Sequence, residues 1–279
     1  MNEKRAITRR EALGMLGAAA LGGVALGTMT GCGDLFGEGE QAYVSPYDWA
    51  CLVPDGERLA YVENGVVLSQ WGIDVSEHQR AIDWTAVATV APQFAFVRIG
   101  NRGATVGALD TDECFFSNCM GAAGARIPVS GYFFSQALNQ DEAVEEARYA
   151  LDRVQQVRSR GCTIQAIAYD HEAVNIEGAR ANDLSGAQLS QNVVAFCEEI
   201  AAAGYRAMIY GNQRDLLKLD ENVRDAYPLW LAEYGVDHPS APFDFALWQY
   251  TNAGTIPGIP TSVDLNIWLP SVDELTTRS

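Results

Sequence analysis

Four acidic residues stand in or at the ends of short apolar runs, and they are the side chains of this chain best suited to chemistry. Asp74 ends a run at 72–75, Asp170 and Glu172 end Ile167-Ala168-Tyr169-Asp170-His171-Glu172, and Asp264 sits in Val263-Asp264-Leu265-Asn266. In an extended strand Asp170 and Glu172 share one face and His171 takes the other. Two carboxylates about 7 Å apart on one face repel each other's charge, which disposes one of them to keep a proton, as a general acid must. Paired carboxylates are the working parts of glycosidases. A divalent-metal site is the rival use of the same acids, but His78, His171 and His238 are scattered at no ligand spacing. Neither a metal nor an organic cofactor is expected, and no nucleophile elbow, P-loop or dinucleotide fingerprint is present.

Aromatic residues accompany the acids: Tyr132, Tyr210, Trp230, Tyr234, Trp248 and Tyr250 all fall in apolar runs. By parity Trp230 and Tyr234 share a face, as do Trp248 and Tyr250. Such rings either fill an interior or pack on the flat C–H faces of sugars.

The elements that must position these groups alternate. Strands are expected at 72–75, 94–99, 131–135, 164–170, 206–210, 229–234, 245–250 and 263–267, and helices at 112–124, 140–160 and 184–203. Gly161 and Gly204 mark two helix ends. The last three strands have no room for full helices between them. The expected fold is therefore α/β, an irregular TIM-like (β/α) barrel with helices missing between the last strands; a doubly wound open sheet is the alternative. In a parallel barrel the active site lies at the C-terminal ends of the strands, where the acids recur. Asn64-Gly65, between 58–62 and 66–69, signals a hairpin ahead of the barrel.

These residues also carry a resemblance. Trp71-Gly72-Ile73-Asp74-Val75-Ser76-Glu77-His78-Gln79, followed by Ile82-Asp83-Trp84, resembles the opening signature of glycoside hydrolase family 25 lysozymes. Phe94-Ala95-Phe96-Val97-Arg98-Ile99-Gly100, Tyr132-Phe133-Phe134-Ser135-Gln136-Ala137, Asp170-His171-Glu172, Tyr210-Gly211-Asn212, Leu229-Trp230-Leu231-Ala232-Glu233-Tyr234, Trp248-Gln249-Tyr250 and Val263-Asp264-Leu265-Asn266 follow in the family's order. The resemblance spans roughly 72–268. It implies a muramidase that cleaves the β-1,4 bond from N-acetylmuramic acid to N-acetylglucosamine in peptidoglycan, with Glu172 as proton donor and Asp170 as its partner. Asp74 and Asp264 would complete the catalytic pocket, and Tyr132, Tyr210, Trp230, Tyr234, Trp248 and Arg98 would meet the saccharide. Phe133 stands where many members carry His. A non-catalytic glycan-binding lipoprotein on the same fold is the alternative function.

The first 32 residues read as an address. Thr8-Arg9-Arg10-Glu11-Ala12-Leu13-Gly14 resembles a twin-arginine export motif, and the weakly apolar stretch from Ala12 ends in Met29-Thr30-Gly31-Cys32, which resembles a lipobox. The expected organisation is an export signal at 1–32 with lipidation of Cys32, a flexible tether at 33–47, a β-hairpin leader at 48–70 and a catalytic barrel at 71–275. The chain is then an exported lipoprotein on the outer face of the cytoplasmic membrane, a monomer whose partners are glycan strands and lipid. A net charge of −17 argues against nucleic acid, since a phosphate-binding surface needs clustered Lys and Arg. Of the other cysteines, Cys51, Cys114, Cys119, Cys162 and Cys197, a Cys114–Cys119 bridge is one possibility and buried thiols another.

Overall fold

The structure, a computed structural model, describes residues 43–271. The expected export signal, Cys32, and tether residues 33–42 lie outside the described residues, as do 272–275 of the expected barrel. Of residues 43–47, at the end of the expected tether, Val44 is exposed while Tyr43 and Tyr47 make contacts to the barrel. The Tyr43 hydroxyl donates to Asp244 at 2.9 Å, and the buried Tyr47 donates to the Phe245 carbonyl at 3.1 Å.

The leader is an antiparallel sheet of β1 (Leu52–Asp55), β2 (Arg58–Glu63) and β3 (Val66–Val67). Asn64 and Gly65 turn β2 into β3 with positive φ angles of 50° and 78°, the conformation for which this dipeptide is suited. Strand β1 escapes a pattern search because Pro54 interrupts it and its residues are largely exposed, which an edge strand tolerates.

The barrel begins at β4 (Gln70–Val75). It continues through α1 (Trp84–Val87), β5 (Phe94–Arg102), the short β6 (Leu109–Thr111), α2 (Phe115–Gly124), β7 (Val129–Ser135), α3 (Gln140–Arg158), β8 (Ile164–His171), α4 (Gly186–Ala202) and β9 (Arg206–Asn212). After α5 (Gln213–Leu216) and α6 (Glu221–Ala226) come β10 (Leu229–Ala232), β11 (Leu247–Gly254) and β12 (Val263–Trp268). Strands β4, β5, β7, β8, β9, β10 and β11 pair in parallel in that order. Strand β12 runs antiparallel to both β11 and β4 and closes the ring, giving eight strands with β6 appended to β5. The expected barrel is present, and no helix follows β10 among the described residues. Antiparallel neighbours such as β11 and β12 need no crossover.

Strand alternation divides the core in two. Phe94, Phe96, Tyr132, Met208, Tyr210 and Trp230 fill the barrel interior. The opposite parity, including Ile73, Val97, Phe133, Ile167, Ile209 and Leu231, belongs to an outer core to which α3 and α4 contribute their buried faces. Gly72 faces inward, where a Cβ would lie 2.4 Å from the Phe94 ring, so only glycine lets β4 pass this filling.

Candidate active site

Asp74, near the end of β4, points into the barrel because Ile73 and Val75 belong to the outer layer. Asp264 is its direct cross-strand partner. The reversed direction of β12 is what brings Asp264, near the start of its strand, to the mouth formed by the ends of the parallel strands. Like charges opposite each other in a sheet destabilise it, and Asp74 is surrounded accordingly. Its Oδ2 accepts Gln249 Nε2 at 2.6 Å and Asn266 Nδ2 at 2.9 Å, and the residue is fully buried.

Both amides are themselves held. The Trp230 indole N–H, a group that can only donate, reaches Asn266 Oδ1 at 2.8 Å, so the Asn266 NH2 must face the carboxylate. Gln249 Oε1 accepts the Tyr210 hydroxyl at 2.9 Å and also the Tyr234 hydroxyl. The result is a buried network from Trp230 through Asn266, Asp74 and Gln249 to two tyrosines. Satisfied networks of this kind are rigid because each lost bond strands a partner.

Asp170 lies beside this network, in register with Tyr210 of β9 and Phe134 of β7, and is fully buried. Glu172 is one residue past β8 and only half-buried, so it is the most exposed of the four acids. Its backbone carbonyl accepts Gln136 Nε2 at 3.0 Å, and the same amide donates to the Ser135 carbonyl at 2.9 Å. The buried Gln136 thus pins the loop carrying Glu172 to the end of β7. The structure brings all four acids to one end of the barrel at graded depth.

Several expected substrate contacts are placed elsewhere. Trp248 faces outward with Tyr250, its indole donating to the Glu233 carbonyl at 2.8 Å, because Gln249 between them takes the inward position. Trp230 is inside the barrel but fully buried, packed at 4.5 Å and 4.7 Å between ring centres against Phe96 and Tyr210. It is barrel filling, and no sugar can reach it. Arg98 is committed to carboxylates: Nε donates to Asp112 and a terminal nitrogen to Glu77, each at 2.7 Å, with His78 Nε2 at 3.3 Å. Burial disfavours the Arg98 charge, yet Asp112, Tyr132 and Glu77 hold its pKa above the ordinary value. It braces the loop after β4. Tyr132 and Tyr210 are nearly buried, and Tyr234 is the expected contact that remains half-exposed at the mouth.

Gln249, Asn266 and Gln136 were not singled out from sequence. The signal available for Gln249 and Asn266 was parity: Gln249 takes the face opposite Trp248 and Tyr250, and Asn266 shares the face of Asp264. Gln136 carried no such mark, since its role depends on a loop from another strand.

A cavity of about 1150 Å³ opens at the opposite end. Strand-start residues such as Gln70, Phe94, Ala166, Arg206 and Leu229 line it, and none of the four acids does. Among the described residues no cluster of three or more His, Cys, Asp or Glu could hold a metal ion.

The family described as Glycosyl hydrolases family 25 matches residues 73–259. An autolytic lysozyme of Clostridium acetobutylicum is 26% identical over 198 residues, covering 70% of this chain and 54% of that protein. Lysozyme M1 of Streptomyces globisporus is 25% identical over 202 residues, covering 70% and 66%. The chain thus spans between half and two thirds of these relatives' lengths. The spore cortex lytic enzyme SleM of Clostridium perfringens aligns with a TM-score of 0.61 at 25% identity, covering 74% of this chain and 69% of that one.

Proposed function

Because the chain belongs to glycosyl hydrolase family 25, we propose that it is a peptidoglycan muramidase that hydrolyses the β-1,4 bond between N-acetylmuramic acid and N-acetylglucosamine. The observation that carries this reading is the pair Asp170 and Glu172 at the C-terminal end of β8, one buried and one half-exposed, beside a fixed Asp74. In this reading Glu172 protonates the leaving oxygen, since it alone of the four combines a mouth position with substantial exposure. Asp170 lies beneath it and orients the acetamido group of the sugar in the cleft. Asp74 and Asp264 supply the surrounding negative charge that favours an oxocarbenium-like transition state. Two of the donors to Asp74 are the side-chain amides of Gln249 and Asn266. Carboxylates suffice for this acid–base work.

The chain also reads as a lipoprotein, exported through its first 32 residues and held at the outer membrane face by a lipid on Cys32. The described chain enters at the strand-start end, where Tyr43 and Tyr47 meet Asp244 and Phe245. A tether attached there would turn the acid-bearing mouth away from the lipid.

The test is mass spectrometry of peptidoglycan digested by the purified protein. Fragments with new N-acetylmuramic acid reducing ends are expected. New N-acetylglucosamine ends would identify a glucosaminidase, and binding without cleavage would identify a glycan-binding protein; either overturns the assignment.

A further inference from the structure

Outside the barrel mouth, two cysteines from distant parts of the chain meet in the outer core. Cys119 lies on the buried face of α2 with Phe115, Asn118 and Ala122. Cys162 lies in the turn between α3 and β8. Gly161, at φ +96°, ends the helical path in a left-handed conformation that a Cβ disfavours. The Gly161 N–H then returns to the Arg158 carbonyl at 3.0 Å and the Cys162 N–H to the Val157 carbonyl at 3.1 Å. This paired closure folds Cys162 back against the helix. Both cysteines are fully buried in the same outer core, each thiol the other's neighbour, and both are free thiols in this structure.

The other thiols are placed differently. Cys114, five residues from Cys119, is at the N-terminus of α2 and donates to the Arg80 carbonyl at 3.7 Å. It points away from the core that Cys119 enters, so a Cys114–Cys119 bridge would require unwinding the first turn of α2. Cys197 is buried on α4, and Cys51 precedes the leader sheet.

We infer that Cys119 and Cys162 are a disulfide site, closing a covalent staple between α2 and the α3–β8 turn when the chain folds in an oxidising compartment. The bond forms by thiol–disulfide exchange. One thiolate attacks a disulfide oxidant, such as a thiol–disulfide oxidoreductase, and expels one of its sulfurs. The second cysteine then attacks the mixed disulfide and expels the other. The two cysteines are oxidised to one disulfide, and the oxidant is reduced to two thiols, which take up the two protons. Because both sulfurs are buried in the folded chain, exchange precedes the docking of α2. The feature is independent of the proposed activity.

The full chain, exported into a bacterial periplasm, should be denatured, alkylated without reduction, digested and mapped. The expected product is a Cys119 peptide linked to a Cys162 peptide, lighter than the two thiol peptides by two hydrogens, with Cys51, Cys114 and Cys197 alkylated. Alkylation of Cys119 and Cys162, or a link from either to any other cysteine, overturns the inference. As a second readout, reductant should lower the Tm of the exported wild type by roughly 5–15 °C. It should leave the Tm of a Cys119→Ala, Cys162→Ala double variant unchanged. Equal Tm values for the wild type with and without reductant would likewise overturn the inference.

Discussion

At the level of single residues, the four acids divide into two kinds. Glu172 is reachable and sits in a loop that Gln136 fixes, whereas Asp74 is held fast inside a network of amides. Replacing Glu172 by Gln preserves volume and removes the transferable proton. Turnover should fall by about 10²–10⁴ with little change in Tm. Release of reducing ends at the wild-type rate would refute Glu172 as the donor. Gln249→Met tests the network itself. It leaves the Tyr210 and Tyr234 hydroxyls without this acceptor and takes one of the two amide donors from Asp74. At about 1–3 kcal/mol per stranded buried group, and less for half-exposed Tyr234, a loss of roughly 2–4 kcal/mol is expected in denaturant unfolding. A cost below about 0.5 kcal/mol would show that the network does not hold the site together.

At the level of elements, α3 and β8 bury ionisable groups whose titrations oppose each other. Glu146 of α3 is fully buried, its Oε1 accepting Arg102 Nε at 2.8 Å and the Gln136 N–H at 3.3 Å. Burial raises its pKa to about 7 against the pull of Ser135 and Arg102. His171 of β8 is lowered to about 4 by burial, with Asp215 opposing and Lys218 assisting. Between about pH 4.5 and 7 the folded state holds a proton on Glu146 that the unfolded chain has released, so this group adds stability as pH falls. Between about 4 and 6.5 the unfolded chain protonates His171 and the folded state does not, so that group removes stability as pH falls. The two offset in the wild type. In Glu146→Gln only the His171 slope remains. The stability difference, wild type minus variant, should therefore widen as pH drops from about 7.5 to 5, by up to about 1.4 kcal/mol per unit. Urea midpoints across that range decide it; a constant difference would mean that Glu146 does not titrate there.

At the level of the whole molecule, the barrel has two ends with separate duties. The acids occupy one, and the chain enters at the other through Tyr43 and Tyr47. Residues 33–42 can span at most about 33–36 Å when fully extended, which sets how far a lipid on Cys32 would let the mouth stand from the membrane. Cys32→Ala should move the protein out of the membrane fraction. Continued retention there would point to an uncleaved anchor in place of a lipid.

The sequence by itself determined the alternation of strands and helices, the late all-β run, the Asn64-Gly65 turn and the place of Asp74, Asp170 and Glu172 at strand ends. Each of these is local: periodicity, turn chemistry and parity act over a few residues. Tertiary structure alone decided which face of β11 looks inward, and so replaced Trp248 by Gln249 at the site. It reversed β12, which carries Asp264 to the mouth. It also committed Arg98 to Glu77 and Asp112. The outcomes in β11 and β12 depend on ring closure, which brings β4 against β12 across most of the chain, and no local pattern encodes a partner so distant.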